Sequence, residues 1–238
     1  MKSFFHFAGG LSLDYGLTIE EYPEYHTAQR VIETQTVPGR SGALVYDTGA
    51  YDNAETTYSV YLKAAPVSLH QAARRAALWL QGARGYQRLE DSYDPEVYRM
   101  ATYAGPLELS NFFERYGRAE ITFDCMPQRW YKSGQLPQSV TSGETLYNPG
   151  EVALPQIIIT GAGSGQLIVG SYTVSISDIP AQGLVLDAET QDAYSGTQNT
   201  NSLVTLASKF PVLDQGPSTI SYSGGISAVQ IIPRWWSL

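Results

Sequence analysis

From Arg118 to Cys125 the chain alternates without a break. Arg118, Glu120, Thr122 and Asp124 are polar, while Ala119, Ile121, Phe123 and Cys125 are apolar. Successive side chains of a strand point to opposite faces, so this period of two buries one set and leaves the other wetter. A helix would scatter both sets around its circumference. Met126-Pro127 come next, and because proline has no N–H for a ladder the strand is expected to end there. The wider segment, Leu89 to Tyr131, is rich in carboxylates and aromatics but holds no catalytic constellation. It reads as a rigid, two-faced sheet edge.

At 238 residues the chain can form one large β domain or two ordinary ones. Only 16% of residues are charged and the net charge is −8, unevenly spread. Residues 1–136 hold 13 Lys/Arg and 16 Asp/Glu, whereas 137–238 hold 2 and 7. Such a chain is a poor reader of nucleic-acid sequence, which rests on clustered Lys and Arg. An acidic wall does suit a surface that DNA passes without sticking. The single cysteine, Cys125, allows no intrachain disulfide and falls on the apolar face of its strand, as an inert buried thiol would. The first 16 residues lack a signal-peptide pattern, and no window approaches the ~20 apolar residues of a membrane span. The expectation is a soluble protein made in the cytoplasm.

Further strands are expected at Phe4–Leu17 (a strand or strand pair around Gly9-Gly10), Arg30–Thr36, Leu44–Asp47 and Thr56–Leu62. Glu20, Glu21 and Glu24 with Tyr22 and Tyr25 make an acidic, aromatic loop. One helix is expected over about residues 67–81. Ser68 and Gln71 form a capping-box pair, and Leu69, Ala72, Ala73, Ala76, Ala77 and Leu80 form an apolar stripe. Gly82 suits a left-handed residue just past its end. Residues 132–149 have the Gly, Ser, Thr, Gln and Pro content of a domain entry. Beyond them lie only short strand signals, including Ser171–Ser177, Leu184–Leu186, Leu203–Leu206, Thr219–Tyr222 and Val229–Ile232. These point to an antiparallel sandwich.

Chemistry is sparse. His6, His26 and His70 are scattered, no GxSxG elbow is present, and no cofactor or metal is implied. Gly161 to Gly165 reads as a hairpin turn between strands 157–160 and 166–169. Glu90, Asp91, Asp94 and Glu96 flank Tyr93 and Pro95 in an expected turn, as solvated groups or an inter-subunit salt-bridge patch. The aromatics of the second half, Tyr172, Tyr194, Phe210, Tyr222, Trp235 and Trp236, are mostly core candidates. Adjacent tryptophans cannot both face inward on one strand, so one is expected at the surface or an interface.

Taken in order, several motifs resemble the distal tail protein (Dit) family of siphovirus-type phages and prophages of Gram-positive bacteria. In the first half these are Pro38-Gly39-Arg40-Ser41-Gly42-Ala43-Leu44, then Gly49, Tyr51 and Asn53, the helix, the acidic turn with Tyr98, Gly105-Pro106-Leu107-Glu108, and Gly117 with the strand ending Thr122-Phe123-Asp124-Cys125-Met126-Pro127. In the second half they are Asn148-Pro149, Pro155, Leu184-Val185-Leu186-Asp187, Phe210-Pro211-Val212-Leu213 and Ile231-Ile232-Pro233-Arg234. The resemblance implies a mainly β protein: an N-terminal ring-forming domain with one helix, placed at 1–134, and a C-terminal galectin-like sandwich, placed at 135–238. It further implies a non-enzymatic homo-hexamer that continues the tail tube, docks a tail-associated lysin or baseplate hub, has receptor-binding or other baseplate proteins as further partners, and leaves a lumen that DNA crosses without sequence-specific binding. Arg40, Asn53, Glu90, Asp91, Tyr93, Tyr98, Arg118, Glu120 and Trp235 are the residues expected at inter-subunit contacts. Two other readings follow from the residues: a carbohydrate-binding module in the second half, and a cell-wall hydrolase using Glu90/Asp91-type carboxylates.

Overall fold

In the computed structural model, which describes residues 3–64, 66–113 and 115–238, the alternating stretch belongs to a 16-residue strand at the heart of the first sheet. The chain divides into two compact units, Met1–Arg129 with Leu238, and Trp130–Ser237. In the first unit the elements are β1 (Phe5–Phe7), β2 (Gly10–Leu11), β3 (Leu17–Ile19), β4 (Arg30–Thr36), β5 (Ala43–Tyr51), β6 (Ala54–Lys63), α1 (Leu69–Gly82), β7 (Gln87–Asp91), β8 (Val97–Thr102), β9 (Ser110–Phe113) and β10 (Tyr116–Tyr131), whose last two residues belong to the second unit. Sheet order is β2-β1-β7-β8-β10-β6-β3, with β9 also on β10, and β4 and β5 form a separate hairpin.

β10 is therefore an interior strand, flanked by β8 and β6, and not the expected sheet edge. Alternation reports which face is buried and carries no information about lateral neighbours. Ala119, Ile121, Phe123 and Cys125 are buried as expected, opposite Val60, Tyr58, Thr56 and Ala54 of β6. The strand also runs through Pro127 to Tyr131. Its ladder with β6 closes at the Cys125–Ala54 pair, so that neighbour asks no N–H of Pro127.

α1 covers the apolar face of the sheet. Ser68 Oγ accepts from the Gln71 N–H and the Gln71 side chain accepts from the Ser68 N–H, closing the capping box. Leu69, Ala72, Ala76 and Leu80 enter the core, where small alanines let the helix approach rings from the strands. Phe5 stacks on Tyr58 at 5.2 Å, and Phe7 lies 4.8 Å from Phe123. Full burial of each such ring contributes about 1.5–3 kcal/mol. Gly82 is the last helical residue, without the expected left-handed geometry. The chain leaves the helix through Ala83 in extended conformation instead.

The second unit contains β11 (Gln138–Val140), β12 (Glu144–Asn148), β13 (Gln156–Val169), β14 (Tyr172–Ile179), β15 (Leu184–Asp187), β16 (Asp192–Ser195), β17 (Gln198–Asn199), β18 (Val204–Leu206), β19 (Gly216–Ile232) and β20 (Trp236–Ser237). Gly161–Gly165 is not a hairpin turn: it lies inside β13, and the two short strands expected at 219–222 and 229–232 are one strand, β19. β13 and β19 pair from Gln156–Ile232 to Val169–Ile220, with register shifts around Gly161 and Gly165. There the backbones approach so closely that a Cβ on Gly161 or Gly225 would overlap a carbonyl oxygen of the facing strand. Glycine density that reads locally as a turn thus serves a bulge. The bulge bends the pair, and both halves of β13 (Ile157 and Ile159, Leu167 and Val169) share one core with Ile176, Leu184, Ile220 and Ile231. The molecule is mainly β with one α-helix and antiparallel sheets, as expected.

Candidate interaction surface

The β4–β5 hairpin is the least self-sufficient part of the first unit. Its pairing places Tyr46 opposite Glu33 and Leu44 opposite Gln35 on one face, and Val45 opposite Thr34 on the other. Val45 and Tyr46 are each 67% exposed, and Ile32 and Leu44 are also exposed, so both faces show apolar side chains to solvent. A lone two-stranded ribbon is marginal in water. This one is pinned at its base: Arg30 pairs with Asp47 at 3.1 Å, Thr48 Oγ1 donates to the Val31 carbonyl at 2.9 Å, and the Asp52 N–H donates to Gln29. Arg40 lies in the loop at its tip, exposed, where its N–H donates to the Val37 carbonyl. The sequence marked both strands; nothing local in it says that they leave the core.

Asn53, just past the arm, donates from Nδ2 to Tyr86 Oη at 2.7 Å and to Asp124 Oδ2 at 2.8 Å. In the acidic segment the carboxylates have separate tasks. Asp91 accepts from the buried Tyr58 hydroxyl at 2.7 Å and from the N–H groups of Tyr93 and Asp94 at 2.8 and 2.9 Å, which shapes the turn. Burial, the Asp91 charge and that hydrogen bond push the Tyr58 hydroxyl well above the usual phenol range. Glu90 pairs with Arg88, whose guanidinium lies 4.0 Å from the centre of the Tyr98 ring. As neighbours on β7, Glu90 and Asp91 project to opposite faces, so these two do not flank one glycosidic bond together. Tyr93 packs on the exposed Tyr22 at 4.1 Å.

Arg118 and Glu120 lie on the uncovered face of the sheet. Arg118 pairs with Glu20, and Glu120 faces Ser59. Both line an open groove of about 900 Å³ shared with Glu21, Glu108, Ser110 and Thr122. Trp235 is half-buried against the second core; its carbonyl accepts from the Tyr131 N–H at 3.0 Å, while its indole nitrogen is buried without a hydrogen-bond partner among the described residues. Trp236 donates to the Val152 carbonyl at 3.1 Å. The hydroxyls of Tyr194 and Tyr222 are likewise engaged within the unit: Tyr194 accepts from Gln156 Nε2 and Tyr222 donates to the Val140 carbonyl.

Arg129 was missed in the sequence. Its nearly buried guanidinium donates to the His26 carbonyl at 2.7 Å and lies 4.0 Å from the Tyr25 ring centre, anchoring the acidic loop. Burial lowers its pKa. More than 100 positions separate the partners in sequence, and no local pattern signals that contact. Among the described residues no group of three or more His, Cys, Asp or Glu is placed to hold a metal.

No protein-family model matches the chain, and no curated protein matches it in sequence. In three dimensions it is similar to the crystal structure of SPP1 Dit, a protein described as a paradigm of the hub adsorption apparatus in phages that infect Gram-positive bacteria. The TM-score is 0.77 over 100% of both chains, at 13% identity. The fold is that of SPP1 Dit. A chain of the phage P2 baseplate in its activated conformation with Ca is more distant, with a TM-score of 0.49 at 9% identity over 97% of each chain. At 13% identity the likeness to SPP1 Dit carries the fold, and the surface chemistry belongs to this chain's own residues.

Proposed function

We propose that this chain is a non-enzymatic structural protein of a phage tail tip. Residues 1–134 build a hexameric ring that continues the tail tube, and 135–238 form a peripheral galectin-like domain. The ring docks a tail-associated lysin or baseplate hub below, and DNA passes through its lumen without sequence-specific binding. Its place is the virion, at the distal end of the tail, after assembly in the host cytoplasm.

The observation that carries this reading is the Dit fold over the whole length of the chain. The hairpin supports it: a ribbon with Val45 and Tyr46 exposed on opposite faces is stabilised by burial against another protein. Electron microscopy of the purified full chain, alone and mixed with the tail tube protein, tests it. Rings of six are expected. A protein that stays monomeric in both samples overturns the reading.

A further inference from the structure

Where β11 meets the β13–β19 pair, the second unit holds a groove of about 370 Å³. That size falls within the ~300–1,000 Å³ of small-molecule sites. The bulge shapes its wall. Thr160 pairs with Ala228 and Gly161 with Ile226, so Ser227 is the extra residue of β19. Ile226 and Val229 are buried, whereas Ser227 and Ala228 between them are both exposed, and strict alternation is broken at the groove. On its other side β19 pairs with β12 up to Ile220 and with β11 from Val229, which leaves the stretch between without a partner strand. Ser142 reaches into that opening, where its hydroxyl accepts from the Tyr222 N–H at 2.9 Å and donates to the Tyr222 carbonyl at 3.0 Å.

The polar side chains along the groove are mostly acceptors. A hydroxyl has one hydrogen and two lone pairs. Ser227 uses its hydrogen on the Thr160 carbonyl at 3.1 Å, and Thr160 uses its own on the Ala228 carbonyl at 3.4 Å. Tyr222 donates to the Val140 carbonyl at 3.4 Å, and Thr141 donates to Glu144 at 2.9 Å. The lone pairs of these oxygens remain for a ligand. Gln230 adds a carboxamide, with one N–H at 3.4 Å from Ser139 Oγ and a second N–H and the carbonyl oxygen to spare. No Lys, Arg, Asp or Glu lines the groove, and Glu144 beside Thr141 disfavours an anion there. Val140, Ile158 and the half-buried Tyr222 ring supply apolar surface between the polar atoms.

We infer that this groove binds a neutral saccharide, with the C–H face of a sugar ring on Ile158 and Tyr222 and its hydroxyls on Ser227, Thr160 and Gln230. A sugar ring brings several O–H donors and no charge, which an acceptor-rich, uncharged wall can satisfy. A carboxylate or phosphate would give up its water for a wall whose one side-chain N–H donor is the Gln230 amide. A wholly apolar ligand would cover the hydroxyl oxygens and leave them unpaired. The site lies within the second unit and is independent of the ring reading.

Saturation-transfer NMR titrations of the full chain test it, with glucose, galactose, N-acetylglucosamine and rhamnose, each free and as a short oligomer. Glucuronic acid and its oligomers are the charged counterparts. At least one neutral sugar is expected to bind, and more tightly than the uronic acid. Gln230→Ala should weaken that binding about tenfold, as the loss of one hydrogen bond does. Ala228→Ile, which puts a stiff, strand-forming side chain into the groove, should abolish it. Both positions are exposed, and circular dichroism matching the parent shows that each variant folds. If no neutral sugar binds at millimolar concentration, the assignment is wrong. Binding that survives Ala228→Ile in the folded protein lies elsewhere and also overturns it, as does equal binding of neutral and acidic sugars. None of these results bears on the ring, which the micrographs of the full chain decide.

Discussion

The guanidinium of Arg234 grips the carboxylate of Asp187 through two hydrogen bonds of 2.7 and 2.9 Å, and Glu189 lies 3.1 Å from one of the same nitrogens. Asp187 is nearly buried, and it also accepts from Gln156 Nε2 at 3.1 Å and from the Glu189 N–H at 3.1 Å. Arg234 adopts a φ of 56°, left-handed and unusual for a residue with a side chain, to present its fork to the carboxylate. The pair ties the end of β15 to the segment after β19.

Removing one partner leaves a buried charge alone. Arg234→Met is expected to lower the stability of the second unit by about 3 kcal/mol. Adding Asp187→Asn to it should recover part of that loss. Urea unfolding followed by tryptophan fluorescence, run as a double-mutant cycle, measures both.

The same pair sets an acid limit. Burial alone would raise the Asp187 pKa, but the Arg234 hydrogen bonds and charge, with the N–H groups of Glu189 and Thr190, bring it below the usual value. A carboxyl whose folded pKa is depressed contributes stability above its unfolded pKa of about 3.9, and that contribution is lost as pH falls through the folded value. The exposed Glu144, lowered by its hydrogen bonds from Thr141, acts in the same direction. Thermal melts should therefore fall as pH drops below about 4, and Asp187→Asn should flatten that slope.

At high pH the first unit is the sensitive one. Burial raises the Tyr58 hydroxyl, aided by Asp91, and burial likewise raises Tyr103 and the Cys125 thiol. Groups with raised folded pKa values contribute fully below their unfolded values, and that stability is lost as pH rises through the folded ones. Unfolding of the first unit is thus expected above about pH 9–10. Tyr58→Phe should cost about 2 kcal/mol at neutral pH, for the lost bond to a carboxylate, and should make the alkaline melt shallower.

Val45→Lys with Tyr46→Glu tests the arm. Both positions are exposed, so the folding stability of the isolated chain should change by no more than about 0.5 kcal/mol. Assembly, read by sedimentation, should be lost. An unchanged sedimentation profile would count against a role for the hairpin in assembly.

Gly225→Ala tests the bulge. The added Cβ would overlap the Ala162 carbonyl oxygen, a backbone atom that cannot swing aside, so a loss of about 3 kcal/mol is expected in urea. Gly143, where a Cβ meets open space but φ is +96°, should lose less on the same substitution.

Features written in neighbouring residues were legible beforehand. Ser68 and Gln71 mark the helix start because a capping box is a three-residue device, and the buried face of β10 follows from strict alternation. Glycine and proline misled wherever their local meaning was overridden. Gly161–Gly165 has the composition of a turn but meets Gly224-Gly225 across two long strands, and Pro127 lies beyond the last rung with β6. Among the expected contact residues, the charge pattern located Arg118 and Glu120 on the wetter face. It could not reveal that Asp91 serves the buried Tyr58.

The sequence by itself determined a mainly β chain with one helix and the faces its strands bury. Those properties follow from side-chain period and residue type within a few positions. Tertiary structure alone decided that β10 is interior, that the β4–β5 ribbon stands apart from the core, and that Asp187 meets Arg234 across 47 positions. Lateral strand order and long-range pairing depend on how the whole chain closes, and closure leaves no periodic mark on the residues that carry it.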